Sequence, residues 1–107
     1  MKIETRAYPR KIMRCHARIA LRGQPPMRAK TVDVSLGGLC LLVEEQLPVG
    51  QLCDVGFETS LNGHTVRVIG SARIVYCILS GTDGFRIGLQ YVELDAANNK
   101  LLAELMI

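Results

Sequence analysis

The chain of 107 residues has no tryptophan, two phenylalanines, three tyrosines and two histidines. So few aromatic side chains argue against a barrel that binds single-stranded nucleic acid, because such surfaces stack successive bases on aromatic platforms. His16 and His64 have no ligand spacing to each other or to the cysteines, and Cys15, Cys40, Cys53 and Cys77 form no C-x-x-C pair, so no metal site is expected. The four thiols stand among apolar neighbours and read as small buried hydrophobes of a reducing compartment. Ser35 and Cys40, the nucleophile candidates, have no histidine near them in sequence, and P-loop spacing is missing. The sequence therefore reads as a non-enzyme that needs no cofactor. No apolar run approaches the roughly 20 residues of a spanning helix. The N-terminus is charged from Lys2 onward with no apolar run behind it, unlike a signal peptide, so a cytoplasmic protein without membrane insertion is expected.

What is present is enough apolar sequence, 49%, to bury the core of one domain. Charge is unevenly spread. Nine basic residues face only Glu4 in the first 30 positions, for a net +8, whereas the remainder carries −5, giving +3 in all. The anion-seeking part is the N-terminal third.

From Met13 the residues alternate. Cys15, Ala17, Ile19 and Leu21 share one face with Met13, and Arg14, His16, Arg18 and Arg22 take the other, the period of a half-buried strand. Further strands are predicted over Met27 to Val34, Leu39 to Val43, about Gln51 to Glu58, about His64 to Ile78, and from Phe85 through Tyr91. Turns lie at 23–26, 35–38, 62–63 and 80–84. In the fifth strand Val66, Val68, Ala72, Ile74 and Tyr76 are placed on one face, and Gly70 marks a bulge or bend. Asp95 is an N-cap candidate for a helix whose apolar face is Ala97, Leu101, Leu102, Leu105 and Met106. The fold expected is mainly β: a small six-stranded antiparallel β-barrel with a C-terminal α-helix and a flexible N-terminal arm. Its limits are residues 1–11 for the basic arm, 12–92 for the barrel and 94–107 for the helix, all within one domain, 1–107.

Two motifs carry chemistry. Arg6 and Arg10 form R-x-x-x-R on an arm that Pro9 keeps out of helix. Each guanidinium can pair bidentately with a phosphate or with the O6/N7 edge of guanine. Asp33-Val34-Ser35-Leu36-Gly37-Gly38 ends a strand; its carboxylate can accept from guanine N1 and N2, its hydroxyl can donate to a phosphate, and its glycines allow close approach. Singly, each motif is also what a solvated basic arm or an ordinary serine-capped turn would show.

Together, R-x-x-x-R, an alternating strand directly after it, and D-x-S-x-x-G at the end of the second strand resemble the PilZ domain family, from Arg6 through the Gly84-Phe85-Arg86-Ile87-Gly88-Leu89-Gln90-Tyr91 strand to the final helix. The resemblance implies a receptor for the bacterial second messenger cyclic di-GMP. Arg6 and Arg10 would grip phosphate and the guanine edge, Asp33 and Ser35 would face guanine and phosphate, and Gly37 and Gly38 would allow close approach. Many members carry a further arginine just before R-x-x-x-R that helps hold a stacked ligand pair; here Thr5 takes that place. The implied mechanism is an arm ordered by ligand, which signals to a separate protein partner, with a homodimer also open. The alternatives are a ligand-independent adaptor with the same fold and, behind it, a small basic barrel for single-stranded nucleic acid.

Overall fold

A computed structural model describes residues 8–82 and 84–107. Seven strands precede one helix: β1 Lys11–Ile12, β2 His16–Leu21, β3 Met27–Val34, β4 Gly38–Val43, β5 Leu52–Leu61, β6 His64–Leu79, β7 Phe85–Glu93 and α1 Ala96–Leu105. All pairings are antiparallel. The order β3-β2-β5-β6-β7-β4 returns to β3 through a β3–β4 pairing, so six strands close on themselves and no edge is left along the ring. The interior is filled by the inward member of each alternation, with Ile19, Leu41, Ile74 and Ile87 fully buried. Asn62 and Gly63 both take positive φ, 52° and 80°, which gives the β5–β6 hairpin a tight two-residue turn.

The first strand differs from its expected form. Residues 13–15, the start of the expected run, fall outside regular strand, so β2 begins only at His16, and a separate short β1 forms before them, beginning at Lys11 of the expected arm. The cause is Thr31, a fully buried polar residue on β3. Its hydroxyl donates to Met13 O and accepts from Cys15 N at 2.9 Å, taking up backbone groups that a regular ladder would pair. The second difference is Tyr76. The register shift between Ile74 and Tyr76 carries it to the outer face opposite Gly88, and Cys77 takes the inward place opposite Ile87. One irregular step reverses every later side chain.

Helix α1 is capped as expected, Asp95 accepting from Asn98 N at 2.8 Å. It buries Leu102 and Leu105, whereas Ala97 is exposed. Asn98 accepts from Ile69 N at 2.8 Å, which fixes the helix on β6. The last turn contains no basic residue of its own; Lys11 supplies the cation, donating through Nζ to Leu105 O at 3.0 Å.

Candidate functional site

The turn that joins β3 to β4 is closed by its own serine. Ser35 N donates to Gly38 O at 2.8 Å, and Ser35 Oγ accepts from Gly37 N and Gly38 N and lies within donating reach of Gly38 O, each at 3.2 Å. One donor and two acceptors are a hydroxyl's full capacity, so any contact between Ser35 and an added group requires an exchange of partners. The place of a Cβ on Gly38 is filled by the carbonyl of Leu89. The close approach that makes this residue glycine is thus between β4 and β7.

The described end of the N-terminal arm is seated on this turn. The Tyr8 ring lies over Gly37, where a Cβ would stand 2.9 Å from Tyr8 Cδ2. Two residues on, Arg10 Nη1 is 3.7 Å from Asp33 Oδ2, close enough for an ion pair and too far for a direct hydrogen bond. β1 continues along the edge of β3, with Ile12 opposite Asp33. Arg10, Asp33, Ser35, Gly37 and Gly38 therefore gather at one end of the barrel. Arg6 and the greater part of the expected arm lie outside the described residues.

Reading across the strands, Ile12, Asp33, Cys40, Gly88 and Tyr76 occupy one row of outward positions. Tyr76 folds back over Gly88, and its hydroxyl donates to Cys40 Sγ at 3.5 Å. Burial pushes the Tyr76 phenol up to about 12, helped by its Cys40 partner. Burial also raises the Cys40 thiol; Asp33 adds to that shift, while the Tyr76 hydrogen bond, Arg86 and Arg10 oppose it. The face thus offers a guanidinium fork, a carboxylate and the ring of a neutral phenol, with the Cys40 thiol beneath that ring. These groups suit recognition of a planar, anionic, hydrogen-bonding ligand. The sequence pattern missed Tyr76; the available signal was Gly88, a glycine inside a strand, which marks a close approach by some neighbour. Among the described residues no cluster of His, Cys, Asp or Glu could hold a metal ion, and no helix is long and apolar enough to cross a membrane.

A family model described as PilZ domain matches residues 4–107. The chain belongs to the PilZ domain family. Solved structures agree on the PilZ fold at low sequence identity. The inhibitor of motility MotI/DgrA of Bacillus subtilis superposes with a TM-score of 0.81 at 17% identity, over 94% of this chain and 48% of that one. The PilZ domain of YcgR from Escherichia coli, solved with c-di-GMP, gives 0.71 at 16% identity, over 96% of this chain and 89% of that one. The PilZ domain of CeSA from a cellulose-synthesizing bacterium gives 0.62 at 19% identity, over 92% and 94%. The chain spans about half the length of the MotI chain and of a longer YcgR chain also solved with c-di-GMP. No curated protein matches it.

Proposed function

We propose that this PilZ domain binds cyclic di-GMP through Arg6, Arg10, Asp33, Ser35, Gly37 and Gly38, and that binding repositions the arm for a separate protein partner. The observation that carries the reading is the Arg10–Asp33 pair at 3.7 Å beside the serine-closed turn. The two groups that the ligand would use already face each other. A guanine presented to Asp33 through N1–H and N2–H takes over its acceptor oxygens, and Arg10 is released to a phosphate or to the O6/N7 edge. The ligand thereby replaces one ion pair with several charge-assisted contacts. A bridge between arm and turn biases the arm toward one position, a switch of the order-to-order or disorder-to-order kind. Tyr76 adds a flat ring at the far end of the same row. The YcgR domains solved with c-di-GMP support the choice of ligand for this family fold.

Isothermal titration calorimetry with cyclic di-GMP, using GTP and cyclic di-AMP as controls, tests this directly. Selective heat is expected, with a stoichiometry that separates one ligand from a stacked pair. Arg6→Ala and Arg10→Ala should each remove most of the affinity, and the Arg10 variant should stay folded, since an ion pair with this exposure contributes at most about 1 kcal/mol to stability. Unchanged binding by both variants would sink the assignment, and no heat from a folded sample would favour the ligand-independent adaptor.

A further inference from the structure

The outer face of β2 and β3 sets two like charges directly against each other. In the antiparallel register Arg18 stands opposite Arg28, with His16 opposite Lys30 beside them, and all four are exposed. Like charges in such cross-strand positions weaken a sheet. Among the described residues the ion pairs are Arg10–Asp33 and Arg67–Glu58, so Arg18, Arg28 and Lys30 are not matched by a carboxylate contact there. Glu58 feels the charge of Arg18 and offsets part of the Arg18–Arg28 repulsion, and a counter-charge from outside would relieve the rest.

The same face is concave. A trough of about 1150 Å³ runs over β2, β3 and β5. None of Tyr8, Arg10, Asp33, the 35–38 turn or Tyr76 lines it. Its central row reads Arg28, Arg18, Gly56, Ile69 across the strands. Gly56 is informative, because packing does not require it. A Cβ there would meet nothing nearer than 3.4 Å, and its φ is not positive. The missing side chain leaves a gap between the Arg18–Arg28 pair and Ile69, which is 50% exposed.

The carboxylates of Glu44, Asp54 and Glu58 also line the trough. They would repel the uniform negative charge of a polynucleotide, and among the described residues Phe57, the one Phe, Tyr or Trp lining it, is buried at 2% exposure, so the trough lacks the exposed aromatic platform on which single strands stack. A bilayer surface is too flat to reach basic groups on a concave face with an acidic rim. A polypeptide carries both signs of charge and apolar side chains on one short segment.

We infer that this trough docks a protein segment of mixed charge, with carboxylates against Arg18 and Arg28, a basic side chain toward Asp54 and Glu58, and one apolar side chain over Gly56 beside Ile69. The inference deepens the proposed function by giving the chemistry of its protein partner, and rests on that reading for the partner being a protein.

The test is an NMR titration of the ¹⁵N-labelled chain with three probes: a synthetic peptide of Glu, Lys and Leu, a thymidine oligonucleotide, and phosphatidylglycerol–phosphatidylcholine vesicles. The peptide is expected to give saturable shifts at Arg18, Arg28, Gly56 and Ile69. Arg18→Glu and, separately, Arg28→Glu should weaken it at least about tenfold, and Gly56→Leu should do so with no change of charge. Arg28→Glu converts a repulsive cross-strand pair into an attractive one and should melt no lower than the parent; Arg18→Glu gains the same pair but loses its attraction to Glu58, so it should melt close to the parent, and all three should keep their cyclic di-GMP heat. Absence of saturable peptide shifts, shifts indifferent to these variants, or tighter binding of oligonucleotide or vesicles than of peptide would each overturn the inference. Calorimetry on the same samples reads the ligand separately: peptide binding without cyclic di-GMP heat removes only the ligand, and heat without peptide binding removes only the docking trough.

Discussion

The ring of Tyr76 lies where a side chain on residue 88 would stand, so the tyrosine and Gly88 form one joint feature of the site face. A Cβ on Gly88 would overlap the ring edge, and Cys40, only 3% exposed, is the residue whose sulfur accepts from the Tyr76 hydroxyl. Gly88→Ala should therefore lift the ring, at a cost of about 1–3 kcal/mol for the overpacked position, and open the Cys40 thiol to solvent. Denaturant melts and the rate of thiol labelling under native conditions check both effects. Tyr76→Ala added to Gly88→Ala should recover part of the stability while leaving Cys40 reactive. A Cys40 as protected in Gly88→Ala as in the parent would show that the ring does not cover it.

Gly38 faces a harder neighbour. Its Cβ would overlap the backbone carbonyl of Leu89, which is held in the β4–β7 ladder with Gly38 opposite Gln90. A ring can rotate away, but a ladder carbonyl cannot move without breaking pairings on both sides. Gly38→Ala should thus cost more than Gly88→Ala, toward the upper end of about 1–3 kcal/mol, and should lose ligand binding together with stability. Gly37→Ala is the contrasting case. Its nearest neighbour is the movable Tyr8 ring, so thermal melting should show a small change where Gly38→Ala shows a large one.

These two glycines show how far the sequence could be read. Gly38 was legible through its motif spacing, but the physical reason for it, a strand crossing close behind the turn, belongs to a contact 51 positions further along the chain. The barrel, the Asn62–Gly63 hairpin and the Asp95 cap follow from alternation and turn chemistry, which are local. Tyr76 was placed on the wrong face because period-2 reading carries straight through a bulge that only pairing with β7 reveals. The break at residues 13–15 was hidden for the same reason: its cause, Thr31, lies on the neighbouring strand. Arg10 and Asp33 were named from their separate motifs, and their approach to 3.7 Å comes from β1 pairing with β3, two residues too short to carry a periodic signal.

Alkaline pH should destabilise this barrel through its buried thiols. Cys53 is fully buried, and burial, with the Asp54 charge adding to it, pushes its thiol up to about 11 from 9.0. Below pH 9 both folded and unfolded chains hold the proton. Between 9 and about 11 the unfolded chain releases it and the folded chain keeps it, so the stability from the protonated thiol is lost as pH rises through that window, at no more than about 1.4 kcal/mol per pH unit. Cys40 acts in the same direction. Urea unfolding measured from pH 8 to 11 should show a falling stability whose slope is reduced, though not abolished, in Cys53→Ala. An unchanged slope in that variant would mean that another group governs the transition.

The hydroxyl of Thr31 should be worth more than its methyl group, because it holds the joint between the arm and the barrel. Thr31 is fully buried, and its oxygen serves Met13 O and Cys15 N at the break between β1 and β2. Thr31→Val keeps the shape but leaves two backbone groups without their partner, a loss of about 1–3 kcal/mol. Thr31→Ser keeps the hydroxyl and loses one buried methyl, about 0.8 kcal/mol of apolar burial. Valine, the better strand former and the closer isostere, should therefore be the worse replacement, the reverse of the order that packing alone dictates. Amide exchange should quicken at residues 13–15 in the valine variant and remain slow in the serine variant. Since Arg10 enters the site one residue before β1, the valine variant should also bind cyclic di-GMP more weakly than the serine variant. Denaturant melts in which valine equals or exceeds serine would mean that the buried hydroxyl does not hold this joint.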